Sequence, residues 1–207
     1  MRHRRETLAL TAAAFGLFAL CGCQTTTIRA LPRPADSAPV ASIGERERDL
    51  YLSVIGQLIE HGKFYAALAH LDEFQRLHGP IDGSRRLRGD AWLAVGALEN
   101  AEREYAAVAE GKLAGYGKHG LGRVAANRQD WTLAARHFEQ AVGEQPTNTR
   151  FLGDFANALF ELGRTDDAEF QLRKALELSP QDGEASEALR AMLVARKRPA
   201  LAAGAQQ

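Results

Sequence analysis

The chain repeats itself every 33 or 34 residues, and this recurrence constrains its fold more than any other feature. A small residue stands at Ala67, Ala101, Ala134 and Ala168, and a larger apolar one follows four positions later at Leu71, Tyr105, Phe138 and Leu172. Both columns are separated by 34, 33 and 34 residues. Two more columns keep the frame, Ile55–Gly89–Gly122–Ala156 and Leu58–Trp92–Ala125–Leu159. One alanine column would mean little in an alanine-rich chain, but four columns moving together do not follow from composition. Spacings of three and four residues place each stripe on one helix face. A pair of such helices cannot bury its apolar face alone, so successive pairs must stack.

The last unit reads Gly163-Arg-Thr-Asp-Asp-Ala168-Glu-Phe-Gln-Leu172-Arg-Lys-Ala175-Leu-Glu-Leu-Ser-Pro180, and the one before it Gln129-Asp-Trp-Thr-Leu-Ala134-Ala-Arg-His-Phe138-Glu-Gln-Ala141-Val-Gly-Glu-Gln-Pro146. Both resemble the second helix of a tetratricopeptide repeat. The resemblance covers about residues 48–182, and it implies an all-α fold, a right-handed superhelix of four helix–turn–helix repeats within 46–182. Small residues in both helices let the axes approach closely. Asp166 and Asp167 suit a helix N-terminus, and Pro146 and Pro180 stop helices. Residues 183–198 read as a capping helix, with Leu189, Met192 and Leu193 covering the last repeat, and 199–207 as a disordered tail. The 33-residue step puts a one-residue deletion between Val108 and Leu121. Arg88 falls in a column that holds Val54, Leu121 and Phe155 elsewhere, so a shifted or loosened first helix is expected in the second repeat.

The first 45 residues read differently. Arg2, Arg4 and Arg5 precede thirteen uncharged residues, Leu8 to Leu20, a run too short to span a bilayer. Basic start, short apolar core and small residues describe a secretory signal peptide over 1–22. Leu20-Cys21-Gly22-Cys23 resembles a bacterial lipobox, which implies cleavage before Cys23, acylation of its thiol and stable membrane anchoring. Gln24 after the cysteine resembles outer-membrane sorting, with the protein facing the periplasm. Residues 23–45 carry Pro32, Pro34 and Pro39 and read as an extended tether.

With 26 basic and 26 acidic side chains there is no field to gather a nucleic-acid backbone. Both cysteines lie at Cys21 and Cys23, leaving the repeats none as nucleophile or metal ligand. His61, His70, His78, His119 and His137 show no metal-ligand spacing and are expected mostly on solvated helix surfaces. Gly115-Tyr-Gly117-Lys-His-Gly120 matches G-x-G-x-x-G, but a helix end precedes it where a dinucleotide site needs a strand. It reads instead as a flexible lead into the third repeat. Neither an enzyme, a cofactor nor a small-molecule substrate is expected.

In tetratricopeptide repeats the second, fifth, ninth and twelfth positions of each first helix face a concave groove. Carried over, the resemblance suggests Arg86, Asp90, Leu93, Tyr116, His119, Arg123, Arg150, Asn157 and Phe160 as a partner groove, with Tyr116 and Phe160 as anchors. Asp90, Gly120 and Asp154 stand where a chaperone-type carboxylate clamp needs basic or amide residues, which argues against capture of a C-terminal carboxylate. Chain length, the Gly-Cys-Gln start and Gly120-Leu-Gly-Arg123 are similar to the TadD-type lipoproteins of tight-adherence (Flp) pilus systems. That likeness implies a pilotin-like scaffold for secretin or pilus-assembly subunits. The alternatives are a β-barrel assembly lipoprotein, usually with five repeats, and an adaptor for peptidoglycan enzymes.

Overall fold

The computed structural model describes residues 44–204, with side chains through Arg196. The signal peptide, Cys23 and all but the end of the tether lie outside the described residues. What is described is helical throughout: α1 Glu45–Glu60, α2 Phe64–His78, α3 Asp82–Ala94, α4 Leu98–Ala109, α5 Ala114–Asn127, α6 Trp131–Glu144, α7 Thr149–Glu161, α8 Thr165–Leu178 and α9 Gly183–Gly204. The helices pair as α1/α2, α3/α4, α5/α6 and α7/α8, each pair packs on the next, and α9 closes the end against α7 and α8. These are tetratricopeptide-like repeats with a terminal cap.

The repeating columns form the core. Ala67, Ala101, Ala134 and Ala168 are all fully buried, and Leu71, Tyr105, Phe138 and Leu172 expose no more than 3%. The apolar contacts fall into three local clusters rather than one, as expected where each repeat touches only its neighbours. Met192 and Ala185 of α9 are buried in the cluster of the last two repeats, with Leu189 packed beside them. Leu189 and Met192 give the cover expected of the capping helix, whereas Leu193 is half-buried outside that cluster. The helix continues to Gly204, past the end at 198 that Pro199 suggested.

The turn inside each pair needs one left-handed residue, and the recurrence fixes its position. Gly62, Gly96 and Gly163 supply it with φ of 71°, 78° and 75°, while Gln129 takes the same place at φ 61°. Gln129 is the one non-glycine with positive φ among the described residues. An L-residue there carries a cost of about 1–2 kcal/mol that glycine escapes.

The second repeat keeps its register. Leu87, Ala91 and Leu93 of α3 are buried, and Gly89 lies against the Tyr105 ring. The expected shift does not occur, because Arg88 turns its head toward Asp72 of α2, Nη1 to Oδ1 at 3.1 Å, instead of displacing the helix. The missing residue shortens α4 to 12 residues. At the α4–α5 turn, where Pro146 and Pro180 serve the later repeats, the Lys112 amide donates to the Asp82 carboxylate at the start of α3 (2.7 Å).

The glycine-rich segment is no flexible lead. Gly115, Gly117, Gly120 and Gly122 lie inside α5 and are buried. A Cβ on Gly117 would stand 2.3 Å from the backbone nitrogen of Ala109, one on Gly120 2.2 Å from the Tyr105 ring, and one on Gly122 2.5 Å from the Phe138 ring. Glycine weakens a helix by about 0.5–1 kcal/mol relative to alanine. Here it lets α5 approach α4 and α6 closely enough for two aromatic rings to pack against its backbone.

A candidate partner-binding cleft on the first helices

A cleft of about 260 Å³ opens between the first helices of repeats two to four. Its wall comes from α3 (Arg86, Asp90), α5 (Tyr116, His119, Gly120, Arg123) and the start of α7 (Arg150, Phe151), with Asn148 before α7 and Tyr105 of α4 completing it. Register explains why these residues meet. Arg86 and Asp90 are one turn apart on α3, and Tyr116, His119 and Arg123 follow at three and four residues on α5, so each set shares a face.

Asp90 is the electrostatic centre. Its Oδ1 accepts from the Tyr105 hydroxyl and from Arg123 Nη1, both at 2.7 Å, and its Oδ2 accepts from Arg86 Nη1 at 3.2 Å. These contacts fix two guanidinium groups against the opening. Burial, and next the Asp90 charge, push the Tyr105 hydroxyl well above its ordinary value, so it stays protonated as a donor. Arg150 makes no ion pair among the described residues, so the lining carries uncompensated positive charge.

Aromatic contacts hold the other wall. Phe151 stacks on His119 with centroids 4.4 Å apart and meets Tyr116 edge-on at 5.4 Å. The Arg86 guanidinium lies 5.5 Å from the centre of the Tyr116 ring. The His119 imidazole is 2.6 Å from Asp154 Oδ2 through Nε2 and is 5% exposed, so it is a buried strut between α5 and α7. His137 and His78 are also half-buried, unlike the solvated positions expected for most of the histidines. Only His61 and His70 of the five are exposed.

Six of the nine residues expected from the sequence line this cleft: Arg86, Asp90, Tyr116, His119, Arg123 and Arg150. Asn157 lines a neighbouring cleft of about 210 Å³ between α7 and α9, which shares Arg150 with the first. Leu93 is a correction: it is 7% exposed and sits in the core cluster with Ala101, Tyr105 and Val124, because α4 folds over the end of α3. Phe160 is half-buried against the core of the last two repeats and lines neither cleft. Sequence reasoning missed Tyr105, Phe151 and Asn148. The hydroxyl of Tyr105 was the available signal, since the other members of its column, Leu71, Phe138 and Leu172, have no polar atom.

Among the described residues no group of three or more His, Cys, Asp or Glu could hold a metal ion, and no helix is long and apolar enough to cross a membrane.

Comparison with known proteins agrees with this architecture. Residues 125–193 match the profile of a tetratricopeptide repeat family. Over 173 residues the chain is 30% identical to a TPR repeat-containing protein of Pseudomonas aeruginosa, a match covering 83% of this chain and 64% of the relative. The chain therefore spans less than two thirds of that relative's length. Among solved structures, MamA from Desulfovibrio magneticus RS-1 superposes with a TM-score of 0.58 at 21% identity, over 78% of this chain and 92% of MamA. YrrB, described as a TPR protein with an unusual peptide-binding site, gives 0.52 at 19% identity, over 71% of this chain and 76% of its own. The chain therefore has a tetratricopeptide-repeat-like fold, with a repeat-family match over its second half, and is similar to bacterial repeat proteins.

Proposed function

We propose that the protein is a lipid-anchored scaffold that holds a segment of a partner protein in the cleft formed by α3, α5 and α7. The observation that carries this reading is the chemistry of the cleft. Arg150 is unpaired among the described residues, Arg86 and Arg123 are aimed by Asp90, and Tyr116, braced edge-on by the buried Phe151, offers rigid aromatic contact. Arginine and tyrosine fixed before binding lose little conformational freedom when a partner arrives. An acidic side chain flanked by an apolar one fits this lining. The neighbouring cleft continues from Arg150 toward α9, so an extended segment could follow both.

In this reading Cys23 carries the lipid and the residues up to α1 give the repeats reach from the outer membrane. The partner belongs to a Flp-type pilus or secretion assembly, a secretin subunit foremost. The lipobox-like Leu20-Cys21-Gly22-Cys23 and the likeness to tight-adherence lipoproteins support it. Crosslinked capture from native envelopes tests it, with Arg150→Glu as the control. Secretin or pilus subunits enriched by the parent and lost with Arg150→Glu support the reading. Barrel-assembly or cell-wall enzymes in their place, or capture indifferent to Arg150→Glu, overturn it. Cys23→Ala should move the protein out of the membrane fraction, and continued retention there contradicts the anchor.

A further inference from the structure

A third cleft of about 390 Å³ lies beside α3 and α4, lined by Arg85, Arg88, Trp92, Asn100, Arg103 and Glu104. It shares no residue with the first cleft. At about 100° per residue, Arg88 points some 200° around α3 from both Arg86 and Asp90, so this is the other side of the helix.

Three features make it unlike an ordinary solvated surface. Arg88 is only 14% exposed, yet stands in a column that the third and fourth repeats fill with Leu121 and Phe155. Its Nη1 reaches Asp72, itself 73% exposed, at 3.1 Å, while its Nη2 is buried without a hydrogen-bond partner. Such an orphaned charged donor is costly, and hydrophobic replacement of buried ionic groups often stabilises a chain. Arg85 pairs with Glu104 at 3.3 Å, and Arg103 makes no ion pair among the described residues. Three guanidiniums therefore face two carboxylates, which leaves one positive charge over. The next repeat does not preserve the site: 33 residues on, Arg88, Trp92 and Glu104 become Leu121, Ala125 and His137.

We propose that this cleft is a second docking site, which takes one carboxylate side chain of an acidic partner segment on the Arg103 guanidinium, beside the Arg88 charge, with a neighbouring apolar side chain against Trp92. A single uncompensated charge matches a carboxylate better than a dianionic phosphate. The planar guanidinium fork suits a carboxylate in two parallel hydrogen bonds, and the indole supplies the apolar floor that a bare ion would not use. The proposal is independent of the first cleft, since the two lie on different sides of α3.

The test uses Arg88→Leu, which installs the residue that the third repeat carries in the same column. Two readouts are needed. In urea unfolding, Arg88→Leu should be as stable as the parent or more so, because it removes the orphaned donor. A clear loss of stability would make Arg88 a structural residue and overturn the proposal.

In the second readout, arginine side-chain NMR signals and Trp92 fluorescence, read in a Trp131→Phe background, are followed during titration with acetyl-Leu-Glu-Leu-amide. The controls are acetyl-Leu-Gln-Leu-amide and inorganic phosphate. Expected is a saturable response to the glutamate peptide alone, weakened about tenfold or more by Arg88→Leu and unchanged by Arg150→Glu. No saturation, an equal response to the glutamine peptide, or tighter saturation by phosphate would each overturn it.

Discussion

The Tyr105 ring packs against two glycines, and replacing one of them tests whether the close approach of α5 to α4 is required. On Gly120 an added Cβ would stand 2.2 Å from Cδ1 and 2.4 Å from Cε1 of Tyr105, against about 3.5–4.0 Å for a normal carbon contact. The ring has little room to move, for Gly89 also packs against its Cε1, where a Cβ would be 2.6 Å away, and its hydroxyl is fixed on Asp90. Overpacking of a rigid core group costs about 1–3 kcal/mol, and the upper end applies where nothing can yield. The helix propensity of alanine returns about 1 kcal/mol, so Gly120→Ala should destabilise by about 2 kcal/mol. Gly153 of α7 is the control, because a Cβ there meets nothing within 4 Å. Gly153→Ala should gain about 0.5–1 kcal/mol. Urea unfolding followed by circular dichroism measures both. Gly120→Ala as stable as the parent, or Gly153→Ala as damaging as Gly120→Ala, would refute the packing role of the α5 glycines.

Gln129→Gly should stabilise by about 1 kcal/mol in the same assay, since Gln129 alone holds the left-handed turn position with a side chain; any loss of stability would count against strain there. Asp90→Ala should cost about 2 kcal/mol, because Arg86, Arg123 and the Tyr105 hydroxyl lose their common acceptor in a part-buried site. A neutral result in chemical unfolding would show that the three donors find other partners. Burial foremost, and the Arg136 charge, hold the His137 imidazole below its ordinary 6.5, against a Gln140 hydrogen bond and the Glu102 charge. The native state then binds fewer protons than the unfolded chain as pH falls below about 6.5, so stability present above that pH is lost below it. His137→Leu should therefore flatten the stability profile between about pH 7 and pH 5, and an unchanged slope would contradict the assignment.

The fold was legible because it rests on residue size at fixed spacing. Ala67, Ala101, Ala134 and Ala168 were identifiable as contact points from their recurrence, and all four are fully buried. The cleft was only partly legible, since lining depends on how neighbouring helices cover each other and a position rule treats all repeats alike. Leu93 obeys the rule but is buried in one cluster with Ala101 of α4 and Val124 of α5. Phe160 is drawn into the core of the last two repeats, while Phe151, one residue from Arg150, reaches the cleft. The α5 glycines matched the dinucleotide-site pattern G-x-G-x-x-G by spacing alone; their neighbours Tyr105, Phe138 and Ala109, distant in sequence or on another helix, give them their role. Arg88 broke a column, and the structure shows a charge accommodated there without loss of register.

Partner capture through the face formed by α3, α5 and α7 is tested most directly by placing a photocrosslinking phenylalanine analogue at single positions in native envelopes. Tyr116 lines the cleft, and Tyr65 on α2 is 76% exposed outside it. Irradiation should yield a discrete partner adduct from position 116 and none from position 65. An adduct from position 65 with none from 116 would place the partner elsewhere and contradict the cleft as the binding surface.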